Sequence, residues 1–232
     1  MEISSSLTYK IEFARLPIRT RLLAGILFLA TIFYSTFSFA QILGTGQLST
    51  ERRGHTATLL QNGKILIVGG ENQNGILSQA EIFDPVSLTS TPAPAAVSPR
   101  TDHTTTLLPD GRVLISGGRD QVGALDSTEV YDSGLGLFSS GPSMKRARSG
   151  HTATTLSDGK ILIVGGDASG SAEIYDAAAQ NFSLVTGSMT TPRQFHSAAL
   201  LKDGRVLIAG GVNGQNTVLN SAEVYDPSLQ SF

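Results

Sequence analysis

Four histidines, His55, His103, His151 and His196, are the only imidazoles in the 232 residues, and they recur at intervals of 48, 48 and 45. Imidazole is the side chain best suited to acid–base work and to metal ligation near neutral pH. Each is preceded three residues earlier by an arginine, Arg52, Arg100, Arg148 or Arg193, and each is followed by a glutamate, Glu81, Glu129, Glu173 or Glu223. Met by itself, one His/Arg/Glu set would suggest a catalytic site. Four sets in register suggest the opposite, because an active site requires asymmetry and these positions have none. One histidine per repeat also spreads the rings over separate units, whereas ligands of a shared zinc must all lie near 2 Å from it. We therefore expect the histidines to be structural, each at the start of an inner strand and bonded to a neighbouring backbone. The arginines and glutamates are expected to form partly buried pairs. No metal and no cofactor is expected.

Composition narrows the chemistry further. The chain has no cysteine, which excludes disulfides, zinc–thiolate sites and thiol nucleophiles. Lys and Arg total 17 against 19 acidic residues, and beyond residue 40 the balance is 13 to 17, a net charge of −4. Without a basic stripe, nucleic acid is not an expected partner.

The elements that would position these residues are short strands. "HTATLLQNGKILIVGG" at 55–70 returns at 103–118, 151–166 and 196–211. A period of this size marks a solenoid, a propeller or an array. In each copy a Thr/Leu-rich segment and an apolar run such as "KILIV" flank Asn62-Gly63, Asp110-Gly111, Asp158-Gly159 or Asp203-Gly204, which predicts a tight hairpin with a type I′ turn. A third strand is predicted at "AEIFD" (80–84), "TEVYD" (128–132), "AEIYD" (172–176) and "AEVYD" (222–226), and a weaker fourth around Phe138 and Phe182. Apolar residues on both faces of the second strand require cover on both sides. Radial stacking of four-stranded sheets provides it. Gly69-Gly70, Gly117-Gly118, Gly165-Gly166 and Gly210-Gly211 end the second strand, where the chain must turn sharply.

These residues together, R-x-x-H, D-G-K/R, a double glycine and A-E-x-Y-D, resemble the kelch repeat, in the version common in exported bacterial proteins, over residues 42–232. The resemblance implies an all-β, kelch-type β-propeller with four recognisable blades of four antiparallel strands. It also implies six or seven blades in a complete ring and binding of proteins or glycans through loops on one rim. The expectation is a fragment of a longer propeller. The other account is a four-bladed ring closed by residues 42–48 acting as a fourth strand.

Residues 1–40 read as a signal peptide: a basic start ending at Arg21, the apolar "LLAGILFLATIFY" at 22–34, and Ser38 and Ala40 before a cleavage point at Gln41. The competing reading is an uncleaved anchor, the one route by which a membrane would be a partner. The domain expected is a propeller over 41–232 that is secreted, periplasmic or on the cell surface.

Asymmetry between repeats falls in the loops at 71–79, 119–127, 167–171 and 212–221, which are dense in Asn, Gln, Asp and Gly. They share a rim with the candidate ligand-binding residues Arg119, Lys145, Arg146 and Gln194. The expected function is a binding or scaffolding module for an unidentified protein or glycan. One alternative is a sugar isomerase resembling the bacterial sialic acid epimerases, for which no unique catalytic residue is found here. The other is a purely structural part of a larger surface protein. An enzyme of the galactose oxidase kind, which shares the propeller, would need a cysteine that is missing.

Overall fold

The apolar runs become the second strands of four small antiparallel sheets. The computed structural model describes residues 45–93 and 98–232, and every regular element among them is a β-strand. In the first sheet β1 (Thr56–Leu59) and β2 (Ile65–Val68) are followed by a short separate pair, β3 (Glu71–Asn72) and β4 (Gly75–Ile76). The chain then returns for β5 (Ala80–Asp84) and β6 (Thr89–Pro92), giving the order β1-β2-β5-β6. The second sheet runs β7 (Thr104–Leu107), β8 (Val113–Ser116), β9 (Thr128–Asp132), β10 (Leu137–Ser140). The third is β11 (Thr152–Thr155), β12 (Ile161–Val164), β13 (Ala172–Asp176), β14 (Asn181–Leu184). The last contains β15 (Ser197–Leu200), β16 (Val206–Ala209) and β17 (Ala222–Tyr225). Its fourth member only begins, where Ser231 bridges to Asp226 and the Phe232 ring settles 5.3 Å from Tyr225. Tyr131–Phe138 and Tyr175–Phe182 form the same aromatic pair at 4.7 and 4.8 Å.

The sheets stack in sequence order, β1 beside β7, β7 beside β11 and β11 beside β15. Three apolar seams result. Leu66 of one sheet meets Val113, Ile115 and Tyr131 of the next; Leu114 meets Ile161, Ile163 and Tyr175; Leu162 meets Val206, Ile208 and Tyr225. Residues 113–116 and 161–164 are buried on both faces, which is why these strands read as unbroken apolar runs rather than alternating ones. Each such side chain contributes about 1.5–3 kcal/mol on burial, so the seams are the main source of cohesion.

Two local expectations are corrected. The hairpin turns are not type I′: only the glycines, Gly63, Gly111, Gly159 and Gly204, have positive φ, at 80 to 88°. The amide of Gly63 donates to Leu60 O, and Leu60 N to Lys64 O, the three-residue loop in which a type I turn precedes a left-handed glycine. The Asx residue serves by its side chain, with Asn62 Oδ1 accepting from Lys64 N at 3.0 Å. The fourth strand of the first sheet lacks the aromatic that marks the others, having Ser90 where Phe138 and Phe182 stand, and sequence reading passed over it.

Of the closing strand expected at 42–48, residues 45–48 form no strand and 42–44 lie outside the described residues. The chain instead enters the first sheet directly, with Gly46 against Phe83 and the amides of Ser49 and Thr50 on Glu81. The signal or anchor segment at 1–40 also lies outside the described residues. Among those that are described, no helix is long and apolar enough to cross a membrane.

Candidate functional site

Each inner-strand histidine after the first reaches back across a seam. The Nε2 atoms of His103, His151 and His196 lie 2.8, 2.9 and 2.9 Å from the Oγ1 atoms of Thr56, Thr104 and Thr152 in the preceding sheet. Nε2 therefore meets a hydroxyl of the neighbouring sheet, a partner that the sequence did not suggest. All three rings are buried, and their Nδ1 atoms have no hydrogen-bond partner among the described residues. Burial, reinforced by the adjacent arginine cations, pushes His103 and His151 down to about 3 and His196 down to about 4. A ring held neutral and sealed in a seam neither shuttles protons nor meets substrate. His55 differs in being exposed, because no earlier sheet lies against it among the described residues. No cluster of three or more potential metal ligands occurs among the described residues.

The arginines and glutamates meet within each sheet, at 2.5 Å for Arg52–Glu81, 2.9 Å for Arg100–Glu129, 2.7 Å for Arg148–Glu173 and 2.9 Å for Arg193–Glu223. In the third sheet Arg148 Nη1 also donates to Gly165 O and Ser171 O, while Glu173 accepts the amides of Lys145 and Arg146. One buried ion pair thus fastens the incoming chain, the end of the second strand and the third strand together. At Glu81 burial alone would raise the carboxyl's pKa, but hydrogen bonds from Ser90, Ser49 and Arg52 outweigh it and hold the group below the usual carboxylate range.

The double glycines do more than turn the chain. A Cβ on Gly69, Gly117 or Gly165 would stand about 2.4 to 2.6 Å from the carbonyl of Arg100, Arg148 or Arg193 in the next sheet. The second glycine of each pair donates to that same carbonyl, at 2.9 Å for Gly70 and Gly118 and 3.0 Å for Gly166. Sequence reading assigned these glycines to turns; the close approach of a neighbouring backbone is the second requirement.

The rim is where the repeats diverge. Lys145 and Arg146 line a hollow with Asp167, Ala168 and Ser169. Gln194 lines a second hollow, of about 360 Å³, with Asp167, Thr190, Asn213 and Gln215. Asp167 and Ala168 form the wall common to both. Arg119 lines neither hollow: its Nε donates to Asp102 at 2.9 Å and its Nη2 to Glu71 at 3.2 Å, which ties the second sheet to the first. Sequence reading missed Asp167, whose Oδ2 accepts the hydroxyls of Ser169 and Ser171 at 2.5 and 2.7 Å. Its signal was the loop at 167–171, shorter than the corresponding loops of the other three repeats.

Stacked antiparallel sheets, three of them four-stranded, each locked by an Arg–Glu pair and sealed to the next by a histidine, define a repeat protein of the blade type. The kelch motif model matches residues 52–95 and 195–232, the first and last of these sheets, and supports a kelch-repeat protein. The two sheets between them carry the same arginine, histidine, double glycine and glutamate. No curated protein matches the chain.

Proposed function

We propose that this chain is a secreted or surface-exposed binding and scaffolding module that recognises a protein or glycan through the rim of its third and fourth sheets. Kelch motifs themselves suggest an interaction module. The observation that carries the finer reading is the pair of adjoining hollows around Asp167. There Lys145 and Arg146 are exposed, while Gln194 and Asn213 are half-buried in the lining of the second hollow. A hollow near 360 Å³ is at the lower end of the size of small-ligand sites, and its amide and charged lining offers donors and acceptors in place of an apolar floor. Loops held on a rigid scaffold are where binding residues concentrate. Export rests on the charge and hydropathy pattern of residues 1–40.

The test is a glycan array and an immobilised-chain capture run in parallel on wild type and on a Lys145→Ala/Arg146→Ala/Gln194→Ala variant. The reading expects a ligand whose retention falls at least tenfold in the variant. A ligand retained equally by both would place recognition elsewhere.

A further inference from the structure

The three internal seams are built from the same contacts, and the two ends of the stack display the two halves of that seam unpaired. Across each seam a backbone ladder runs through the residues that precede the histidines: Asp102 N donates to Gly54 O, Gly150 N to Asp102 O, and Phe195 N to Gly150 O. Among the described residues the ladder leaves Gly54 N–H free at one end and Phe195 C=O free at the other. A second set of bonds runs the opposite way, from Gly70, Gly118 and Gly166 to Arg100, Arg148 and Arg193. Its next donor, Gly211 N–H, finds no acceptor among the described residues. The hydroxyl–imidazole pairs behave likewise. Ser197 stands where Thr56, Thr104 and Thr152 stand and is exposed, as is His55 at the far end.

Packing repeats the pattern. Gly210 corresponds to the glycines that face a neighbour's carbonyl at 2.4 to 2.6 Å, yet a Cβ on it would meet nothing nearer than 3.8 Å. Leu66, Leu114 and Leu162 are fully buried, whereas the corresponding Leu207 is half-buried, and Ala222 is exposed where Ala80 and Ala172 are buried. Donors, acceptors and apolar groups of the last sheet are therefore those that the following sheet satisfies at each internal seam of this same chain.

We propose that the free face of the fourth sheet receives the free face of the first sheet of a second copy of this chain, head to tail, reproducing the internal seam. The contact is heterologous: Ser197 of one copy meets His55 of the other, and Gly211 N–H meets Arg52 C=O. Two different patches are joined, so the association either closes into a ring or runs on.

The chain contains no cysteine, which makes a directional test available. Thr58 Oγ1 and Thr105 Oγ1 lie 2.6 Å apart across the first seam, close enough for a disulfide between cysteines at those places. The corresponding positions at the two free ends are Ala199 and Ala57, both exposed. Full-length Ala57→Cys and Ala199→Cys chains, distinguished by a size tag on one of them, are mixed and oxidised. The expected product is the mixed dimer, formed at least tenfold more than either like pair, and reduced several-fold when Gly210→Ala is added to the Ala199→Cys chain. Equal cross-linking of like and unlike pairs, no cross-linking, or protection of either cysteine from maleimide in a monomer would each overturn the proposal, the last showing that another segment of the same chain covers the face. Circular dichroism of each variant separates lost association from lost folding.

Discussion

His151 Nε2 lies 2.9 Å from Thr104 Oγ1 across the seam between the second and third sheets, while its Nδ1 is buried without a partner among the described residues. An imidazolium carries a proton on both nitrogens, and although Thr104 Oγ1 could accept the one on Nε2, the one on Nδ1 would be buried with no acceptor among the described residues. Protonation would place an unpaired cation inside the seam, beside the Arg148 guanidinium.

Stability is accordingly expected to fall on acidification. The folded pKa values of His103 and His151 are about 3, and that of His196 about 4, against 6.5 when unfolded. Between pH 6.5 and those values the unfolded chain binds more protons, so stability is complete above 6.5 and declines below it. Each ring contributes about 1.4 kcal/mol per pH unit within that window. At pH 5 the loss is about 2 kcal/mol per histidine. Glu81 and Glu223, with lowered pKa values, act in the same direction below pH 4.5. Urea midpoints at pH 7.5 and 5.0 check this, and equal midpoints would contradict the buried-neutral assignment.

Glu173→Gln is expected to destabilise by about 3 kcal/mol, since it removes the hydrogen-bonded partner of the fully buried Arg148 and leaves only Asp167, 4.0 Å away, as counter-charge. Glu223→Gln should cost less, because the Glu223 side chain is 13 % exposed and water can replace part of what is lost. Both glutamates have the arginine and two backbone amides as partners, Glu223 adding the Thr190 hydroxyl, so thermal unfolding of both variants weighs burial against that extra bond. Equal losses would mean that the pair acts by local geometry alone.

Gly159 and Gly165 give a second internal comparison. Both have positive φ, 82° and 69°, and alanine in that conformation costs about 1 to 2 kcal/mol. A Cβ on Gly159 enters open space, whereas one on Gly165 stands 2.6 Å from Arg193 O. Gly159→Ala should therefore show the conformational cost only, and Gly165→Ala that cost plus displacement of the fourth sheet. Chemical unfolding of the pair would reveal the difference, and indistinguishable curves would show that the seam yields to accommodate the methyl group.

The strands were legible because burial on both faces leaves a run such as Ile161–Val164 that only a covered strand requires. The third strands were legible from Glu173 and its counterparts. What escaped was set by contacts between repeats. Nothing in "HTATT" announces that the His151 ring will find Thr104, 47 residues earlier, because the stacking offset is a property of the assembled sheets. The Asn-Gly and Asp-Gly turns were misassigned for a related reason: a left-handed glycine suits both a two-residue and a three-residue hairpin loop, and the register of Leu60 with Lys64 decides between them. Arg119 looked free for a ligand since its partners, Asp102 and Glu71, come from distant positions in the chain.

That last difference separates the rim residues experimentally. Lys145→Ala/Arg146→Ala removes two exposed side chains whose backbone amides, not their cationic heads, hold Glu173. Its effect on stability should stay within about 0.5 kcal/mol, as for surface changes in general. Arg119→Ala breaks two ion pairs, one at 2.9 Å to Asp102 within the second repeat and one at 3.2 Å to Glu71 of the first, with the arginine side chain 41 % exposed. Partly exposed pairs of this kind contribute up to about 1 kcal/mol each, so a loss near 1 kcal/mol is expected. A binding defect in the Lys145/Arg146 variant with an unchanged melting curve would report on recognition directly. The same defect in the Arg119 variant would have to be corrected for loosening of the seam between sheets one and two. If Lys145→Ala/Arg146→Ala instead lowered stability as much as Arg119→Ala, those side chains would be part of the third sheet's anchorage and the rim site would have to be sought around Asn213 and Gln215.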